Sequence, residues 1–242
     1  TAIKDATSYT WKNIGNTKAN SFQGTFDGQG HTIKGINGNN ARGLFAYASG
    51  CTIKDFCLED SYFSNSSSGG SIVGVFDGTM ESVSSNAFIE NTYSAVGGIV
   101  GQLSDKDENV TSKAIIRDCW FSGSITATYT GKNGVYYGGI VGQVLKGTEH
   151  EVSYTLFTGS MTITNNGSAT STKSTNVGGI IGGGKCKVAN CLNNGTLNGL
   201  SVSDEEHFPK KIGNISGSNA TVEKSYAMVL WGNGDSAIIP TG

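Results

Sequence analysis

The chain has 242 residues, with 36 Gly, 2 Pro and a formal net charge of −2 from 17 basic and 19 acidic residues. This length allows one large domain or a stack of small units, and the near-neutral charge gives no support to electrostatic binding of nucleic acid or an anionic membrane. No run of residues approaches the roughly 20 apolar positions that a spanning helix requires, so we expect no membrane insertion.

The first 40 residues are predicted to form an opening coil or a cap on the first repeat. Trp11 and Ile14 precede an alternating stretch over residues 22–36, and strong turn signals stand at Asp27-Gly28 and Asn37-Gly38. The chain starts at Thr1 without Met or a signal peptide, so we expect a piece of a longer protein with neighbouring domains.

A glycine-rich segment recurs three times, over residues 96–102, 137–143 and 177–182, and looser copies lie on both sides. The copies align on six positions with spacings of 28, 27, 41, 40 and 34 residues: Gly43, Ser71, Gly98, Gly139, Gly179 and Gly213. Periods of about 20 to 50 residues indicate a solenoid or a propeller, and the shorter units are too short for a blade of about 40 residues.

Three apolar columns follow the glycine column. The first contains Ile53, Val83, Ile116, Val152, Val188 and Val222; the second Leu58, Phe88, Phe121 and Phe157, interrupted by Asn193 and Ala227; the third Tyr62, Thr92, Ile125, Met161, Leu197 and Trp231. Three short strands in each unit predict an all-β fold, a right-handed parallel β-helix of about six to seven coils. Residues 1–242 would form one domain, with repeats over residues 43–231 and a tail over residues 232–242.

The longer repeats differ from the shorter ones by insertions at residues 103–113, 127–136 and 164–176, which we expect to form surface loops. Tyr129, Tyr136 and Tyr137 flank the second insertion. If exposed, their rings suit stacking on sugars or on a protein partner, and the alternative is that Tyr136 or Tyr137 packs at the start of the next strand. Residues 105–109 resemble half of a calcium loop but lack its Gly and its bidentate Glu, so we expect a solvated acidic loop.

Catalytic signatures are incomplete. His150 and Glu151 begin a zinc-peptidase motif, but Tyr154 stands where its second His is required. Polysaccharide-active enzymes need clustered carboxylates, and the nearest candidate is a mixed polar column that we interpret as turn-capping residues: Asp55, Ser85, Asp118, Tyr154, Asn190 and Lys224. The five Cys lack a Cys-x-x-Cys spacing, and same-column pairs lie too far apart for a disulfide. We therefore expect no enzyme, no metal and no cofactor.

Two segments carry the pattern of a known repeat. Residues 116–125 and 188–197 each begin with an aliphatic residue, continue with Asp or Asn and then Cys, and end with a Gly and an aliphatic residue two positions after it. The first segment has Ile116, Asp118, Cys119, Gly123 and Ile125, and the second has Val188, Asn190, Cys191, Gly195 and Leu197. With the Gly-Gly-Ile-Val-Gly strand, this pattern resembles the GLUG repeat. The resemblance implies a β-helix in a secreted or surface-anchored bacterial protein, such as an adhesin or the non-catalytic part of an IgA-specific metallopeptidase.

The leading hypothesis is a non-enzymatic β-helical module of a bacterial cell-surface or secreted protein, acting as an adhesin or a stalk. Two alternatives stay open: a carbohydrate-binding module that uses the loop tyrosines, and a polysaccharide lyase or hydrolase on a β-helix. The expected partners are a host or cell-wall glycan or a surface protein, and the expected state is an extracellular monomer.

Overall fold

The computed structural model describes residues 10–103, 113–129, 134–145, 149–165, 175–199 and 210–228, and these residues form an all-β fold. This described part of the chain contains no helix long and apolar enough to cross a membrane. Its 24 strands are β1 Phe22–Lys34, β2 Asn37–Asn39, β3 Phe45–Glu59, β4 Tyr62–Asn65, β5 Val73–Ser85, β6 Phe88–Asn91, β7 Ala95–Gly97, β8 Val100–Leu103, β9 Ile115–Arg117, β10 Trp120–Phe121, β11 Ser124–Tyr129, β12 Val135–Gly138, β13 Val141–Val144, β14 Glu151–Ser153, β15 Leu156–Phe157, β16 Ser160–Asn165, β17 Thr175–Gly178, β18 Ile181–Gly183, β19 Lys187–Ala189, β20 Leu192–Asn193, β21 Thr196–Asn198, β22 Lys210–Gly213, β23 Thr221–Glu223 and β24 Tyr226–Ala227.

The strand pairings recorded among the described residues are parallel, and each joins a strand to its equivalent one repeat away. Ile125 in β11, for example, pairs with Ile89 in β6 and with Met161 in β16. The pairings give sheets of 14, 6 and 4 strands. These sheets curl around one apolar core that continues through the repeats.

The core columns follow the predicted pattern from the third repeat onward but not in the second. The first column there is occupied by Met80, which pairs with both Ile53 and Ile116, whereas the predicted Val83 pairs with Phe56. Both Met80 and Val83 are buried, so their apolar character alone does not distinguish the two registers. A bulge between Ser49 and Cys51 also gives the first repeat an extra residue at this corner.

In the second repeat the same three-residue shift corrects the other two columns, and in the first repeat the third column shifts by one residue in the opposite direction. Ser85, not Phe88, occupies the second column, and Phe63 and Ile89 replace Tyr62 and Thr92 in the third. In the last repeat Gly213 pairs with Gly178, one residue before the position predicted for it. Trp231 and the tail over residues 232–242 lie outside the described residues.

The glycine column makes room for the rings of the second core column. A Cβ atom on Gly139 would lie 2.1 Å from the carbonyl oxygen of Gly179 and 2.4 Å from Cγ of Phe157. The Phe157 ring stacks on that of Phe121, with centroids 6.1 Å apart and planes 7° from parallel. Glycine is therefore required at this position by the close approach of backbone and ring, because any side chain would overlap both.

The opening segment pairs in parallel with the first repeat. β1 pairs with β3, and the Trp11 indole donates a 3.1 Å hydrogen bond to the carbonyl oxygen of Leu44. The ring of Phe45, at the start of β3, contacts those of Phe22 and Phe26 at centroid distances of 4.9 and 5.5 Å. These aromatic contacts cover the first end of the core.

Candidate functional site

The three tyrosines predicted as a binding site lie close together, but two of them are buried. Tyr137 is fully buried and donates a 3.2 Å hydrogen bond to the carbonyl oxygen of Tyr93, while Tyr129 is 7% exposed and Tyr136 is half-buried. Tyr137 pairs with Val96 and points into the core, and burial raises its pKa. Tyr137 therefore follows the alternative in which it packs at the start of its strand, and Tyr129 is buried as well, because strand alternation directs both rings inward. Ligand binding by the half-buried Tyr136 stays a prediction.

A pocket of about 390 Å³ lies instead on the outer side of β3, β5 and β8. Its lining residues are Lys18, Ser21, Arg42, Tyr47, Ala48, Ser49, Ser68, Val75, Phe76, Asp77, Tyr93, Gln102 and Leu145. Register explains part of this grouping, since Tyr47 pairs with Val75 and Val75 with Gln102, so these side chains form a ladder on one face.

Arg42 and Tyr47 form one wall of the pocket. The guanidinium carbon of Arg42 lies 4.8 Å from the centroid of the Tyr47 ring, a cation–π contact. The Arg42 side chain reaches this position across Gly74, where an added Cβ atom would lie 2.7 Å from Cβ of Arg42. The Arg42 carbonyl oxygen accepts a 3.0 Å hydrogen bond from the Gly70 amide, so its backbone is held as well.

Tyr93 and Leu145 provide the exposed apolar surface at the pocket, at 42% and 54% exposure. Hydrogen bonds to the backbone fix the position of Tyr93: its amide donates to Oδ1 of Asn91 at 2.5 Å, and its carbonyl accepts from Tyr137. Tyr137 therefore supports the pocket from the core rather than lining it. A tyrosine with its backbone held on both sides presents its ring at little entropic cost.

The remaining polar groups of the pocket are arranged by hydrogen bonds. The Ser68 hydroxyl donates to Oε1 of Gln102 at 2.9 Å, and the Ser49 hydroxyl donates to Oδ2 of Asp77 at 3.4 Å. Asp77 is 7% exposed. Burial and then the Asp77 charge raise the pKa of the nearby Cys51 thiol to about 12, so this thiol stays protonated at neutral pH.

Each residue of the polar column predicted beside the core lies in a turn of its own repeat, and in the second repeat this residue is Ser82 rather than the predicted Ser85. Its six residues adopt left-handed φ angles of 45° to 59°: Asp55, Ser82, Asp118, Tyr154, Asn190 and Lys224. Nearby, Lys54 lies 3.1 Å from Asp27 and 3.2 Å from Asp55, so these two carboxylates already share a cation.

The described residues also contain no group placed as a metal site and no disulfide. Among the described residues, no group of three or more His, Cys, Asp or Glu is placed to hold a metal ion. His150 is fully buried, and its Nδ1 accepts a 3.0 Å hydrogen bond from the Ala114 amide. All five Cys are free thiols. The acidic segment 105–109 lies outside the described residues.

No protein-family model matches the chain, and no curated protein sequence matches it. The GLUG resemblance therefore stays a prediction. Among solved structures, the chain is similar to the crystal structure of a "putative immunoglobulin A1 protease" from Bacteroides ovatus, with a TM-score of 0.70 and 18% sequence identity over 97% of this chain and 72% of that chain. At this identity the likeness shows a shared fold and carries no assignment of activity.

Proposed function

We propose that this chain is a non-enzymatic module of a secreted or cell-surface bacterial protein, built as a right-handed parallel β-helix, and that it acts as an adhesin. The parallel pairing of equivalent strands in successive repeats supports the β-helix, because each repeat contacts only its neighbours. The fold shared with the Bacteroides ovatus protein supports a bacterial setting.

The observation that carries the adhesin role is the pocket of Tyr47 and Tyr93. Concave sites with aromatic surface and a few oriented polar groups are typical of small-ligand and sugar binding. A stalk would need no such pocket. Most glycoside hydrolases use two carboxyl groups that lie about 5 to 9.5 Å apart. Among the described lining residues Asp77 is the only carboxylate, which favours binding over catalysis.

A glycan array probed with the purified chain tests this proposal. We expect specific binding to a subset of glycans and a loss of at least about tenfold in affinity for Tyr93→Ala, because the exposed ring supplies the stacking surface. Tyr226→Ala is the matched control, since Tyr226 is 38% exposed and does not line the pocket. Binding to no glycan, or an equal loss in both variants, would contradict the adhesin role at this site and favour a spacer.

A further inference from the structure

We infer that the pocket binds an anionic saccharide and that Arg42 is the residue that pairs with its negative charge. This inference rests on the proposed function, since it specifies the ligand of the same site. The pocket brings two cationic side chains, Lys18 and Arg42, together with one carboxylate, Asp77. Among the described lining residues, positive side chains thus outnumber negative ones, in a chain whose net charge is −2.

The cations of the pocket differ from those elsewhere on the strands. Four basic residues outside it each lie within 3.2 Å of a carboxylate oxygen: Lys34, Lys54, Arg117 and Lys187. Neither Arg42 nor Lys18 forms an ion pair with any residue in the described ranges. The pocket therefore holds positive charge that the rest of the described protein does not neutralise.

The position of Arg42 suits it for an anion. The contact with the Tyr47 ring and the path across Gly74 restrict the side chain, so less entropy is lost when a ligand binds. A guanidinium that lies over an aromatic face still presents its N–H groups in its own plane. Those donors match the two oxygens of a carboxylate or sulfate.

The other groups fit the neutral part of a sugar. Tyr93 offers a partly exposed ring, and Leu145 adds apolar surface beside it. The oxygen of the Gln102 amide accepts from Ser68, which leaves the amide nitrogen as a donor for a sugar hydroxyl. The Asp77 carboxylate, whose Oδ2 accepts the Ser49 hydroxyl, and the Ser49 and Ser68 hydroxyls complete the polar part of the lining. The combination of a fixed cation, an aromatic face and both donors and acceptors points to a charged sugar rather than a bare anion.

Isothermal titration with matched ligands tests the inference. The probes are oligogalacturonate and sialyllactose, the same two glycans with their carboxylates methyl-esterified, and a sulfated dextran beside plain dextran. We expect esterification to weaken binding by at least about tenfold, because it removes the charge while keeping the ring. Preference for the acids over their esters identifies a carboxylate as the anion, and preference for sulfated over plain dextran identifies a sulfate.

Variants assign the effect to Arg42. Arg42→Gln should abolish the difference between acid and ester, and Arg42→Lys should retain part of it because the charge remains. Lys187→Gln is the control, since Lys187 pairs with Glu223 outside the pocket. Equal affinity of wild type for the neutral and anionic forms would overturn the inference while leaving the adhesin proposal intact. Absence of binding to every glycan would instead overturn the proposed function. Should Arg42→Gln not fold, the esterified ligands still test the inference on wild type.

Discussion

The first two repeats and the later ones turn the same corner in different ways. β3 and β5 run without interruption for 15 and 13 residues, whereas the equivalent stretch of the third repeat is divided among β8, β9 and β10. β5 nevertheless pairs with all three of these strands. The hydrogen bonds between repeats thus persist although residues are inserted at the corner. Each strand segment is stabilised by the equivalent strand of the neighbouring repeat and does not depend on the segment that precedes or follows it in the chain.

The candidate pocket lies where these two regions meet. Ser49 and Asp77 belong to the uninterrupted strands, while Gln102 and Leu145 stand close to the points where the later repeats receive extra residues. The candidate pocket therefore lies beside positions where the repeats differ in length.

The two regions also differ in the core. The glycine column contains Ser71 in the second repeat, and its hydroxyl donates a 2.6 Å hydrogen bond to the carbonyl oxygen of Gly98. The second core column contains Ser85 in the same repeat, where the later repeats have Phe121 and Phe157. In the second repeat the glycine column has the larger Ser71 and the second core column has the smaller Ser85, whereas in the later repeats the Phe121 and Phe157 rings lie close to Gly98 and Gly139.

The largest expected effect comes from adding a methyl group to the glycine column. Gly139→Ala should lower the free energy of unfolding by about 3 kcal/mol or more, since the new Cβ would overlap both the Gly179 carbonyl and the Phe157 ring. Ser71→Ala, in the same column of the second repeat, should cost only about 1 kcal/mol through its lost hydrogen bond. Urea unfolding of both variants measures the difference. Equal costs would mean that the two regions pack this column alike.

Part of this architecture was readable from the sequence because it repeats. The Gly-Gly-Ile-Val segments and the columns of the later repeats predicted short parallel strands, since one residue type returned at equivalent places. The second repeat was misaligned because Met80 and Val83 are both apolar and both buried. Periodicity gives the spacing of inward positions but does not choose between two of them.

The pocket could not be predicted in the same way. Arg42, Asp77 and Gln102 belong to three successive repeats and form no motif along the chain. Their meeting depends on the strand register and on Gly74, which leaves space for the Arg42 side chain. Tyr129 and Tyr137 were singled out because they flank an insertion, but proximity to a loop does not decide which side of a strand a ring occupies.

Alkaline pH should destabilise the later repeats through their buried thiols. Burial raises the pKa of Cys119 and of Cys186 from the ordinary thiol value of 9.0 to about 12. Because the folded pKa is the higher one, the stabilisation is complete below pH 9 and is lost as the pH rises toward 12. At pH 10 each thiol should cost about 1 kcal/mol relative to pH 8.

Urea unfolding at a series of pH values measures this loss. Cys119→Ala and Cys186→Ala should each show a shallower alkaline decline than wild type, whatever their stability at neutral pH. Cys57→Ala, which alters a half-buried thiol of β3 in the first repeat, serves as the comparison. A decline that is the same in all three variants would exclude ionisation of Cys119 and Cys186 as its cause.

The smallest expected effect concerns the left-handed turn shared by both regions. The first repeat places Asp55 there, a residue that tolerates this conformation, whereas the fourth repeat places Tyr154 there at a φ of 52°. Tyr154 is 61% exposed, so its ring contributes little packing to offset the backbone strain. Tyr154→Asn should therefore raise the free energy of unfolding by about 0.5 to 1 kcal/mol, and Asn190→Tyr, the reverse change one repeat later, should lower it by a similar amount. Thermal unfolding of both variants measures these changes. A stabilised Tyr154→Asn variant beside an Asn190→Tyr variant of unchanged stability would mean that contacts of the Tyr154 ring, rather than φ, set the stability of this turn.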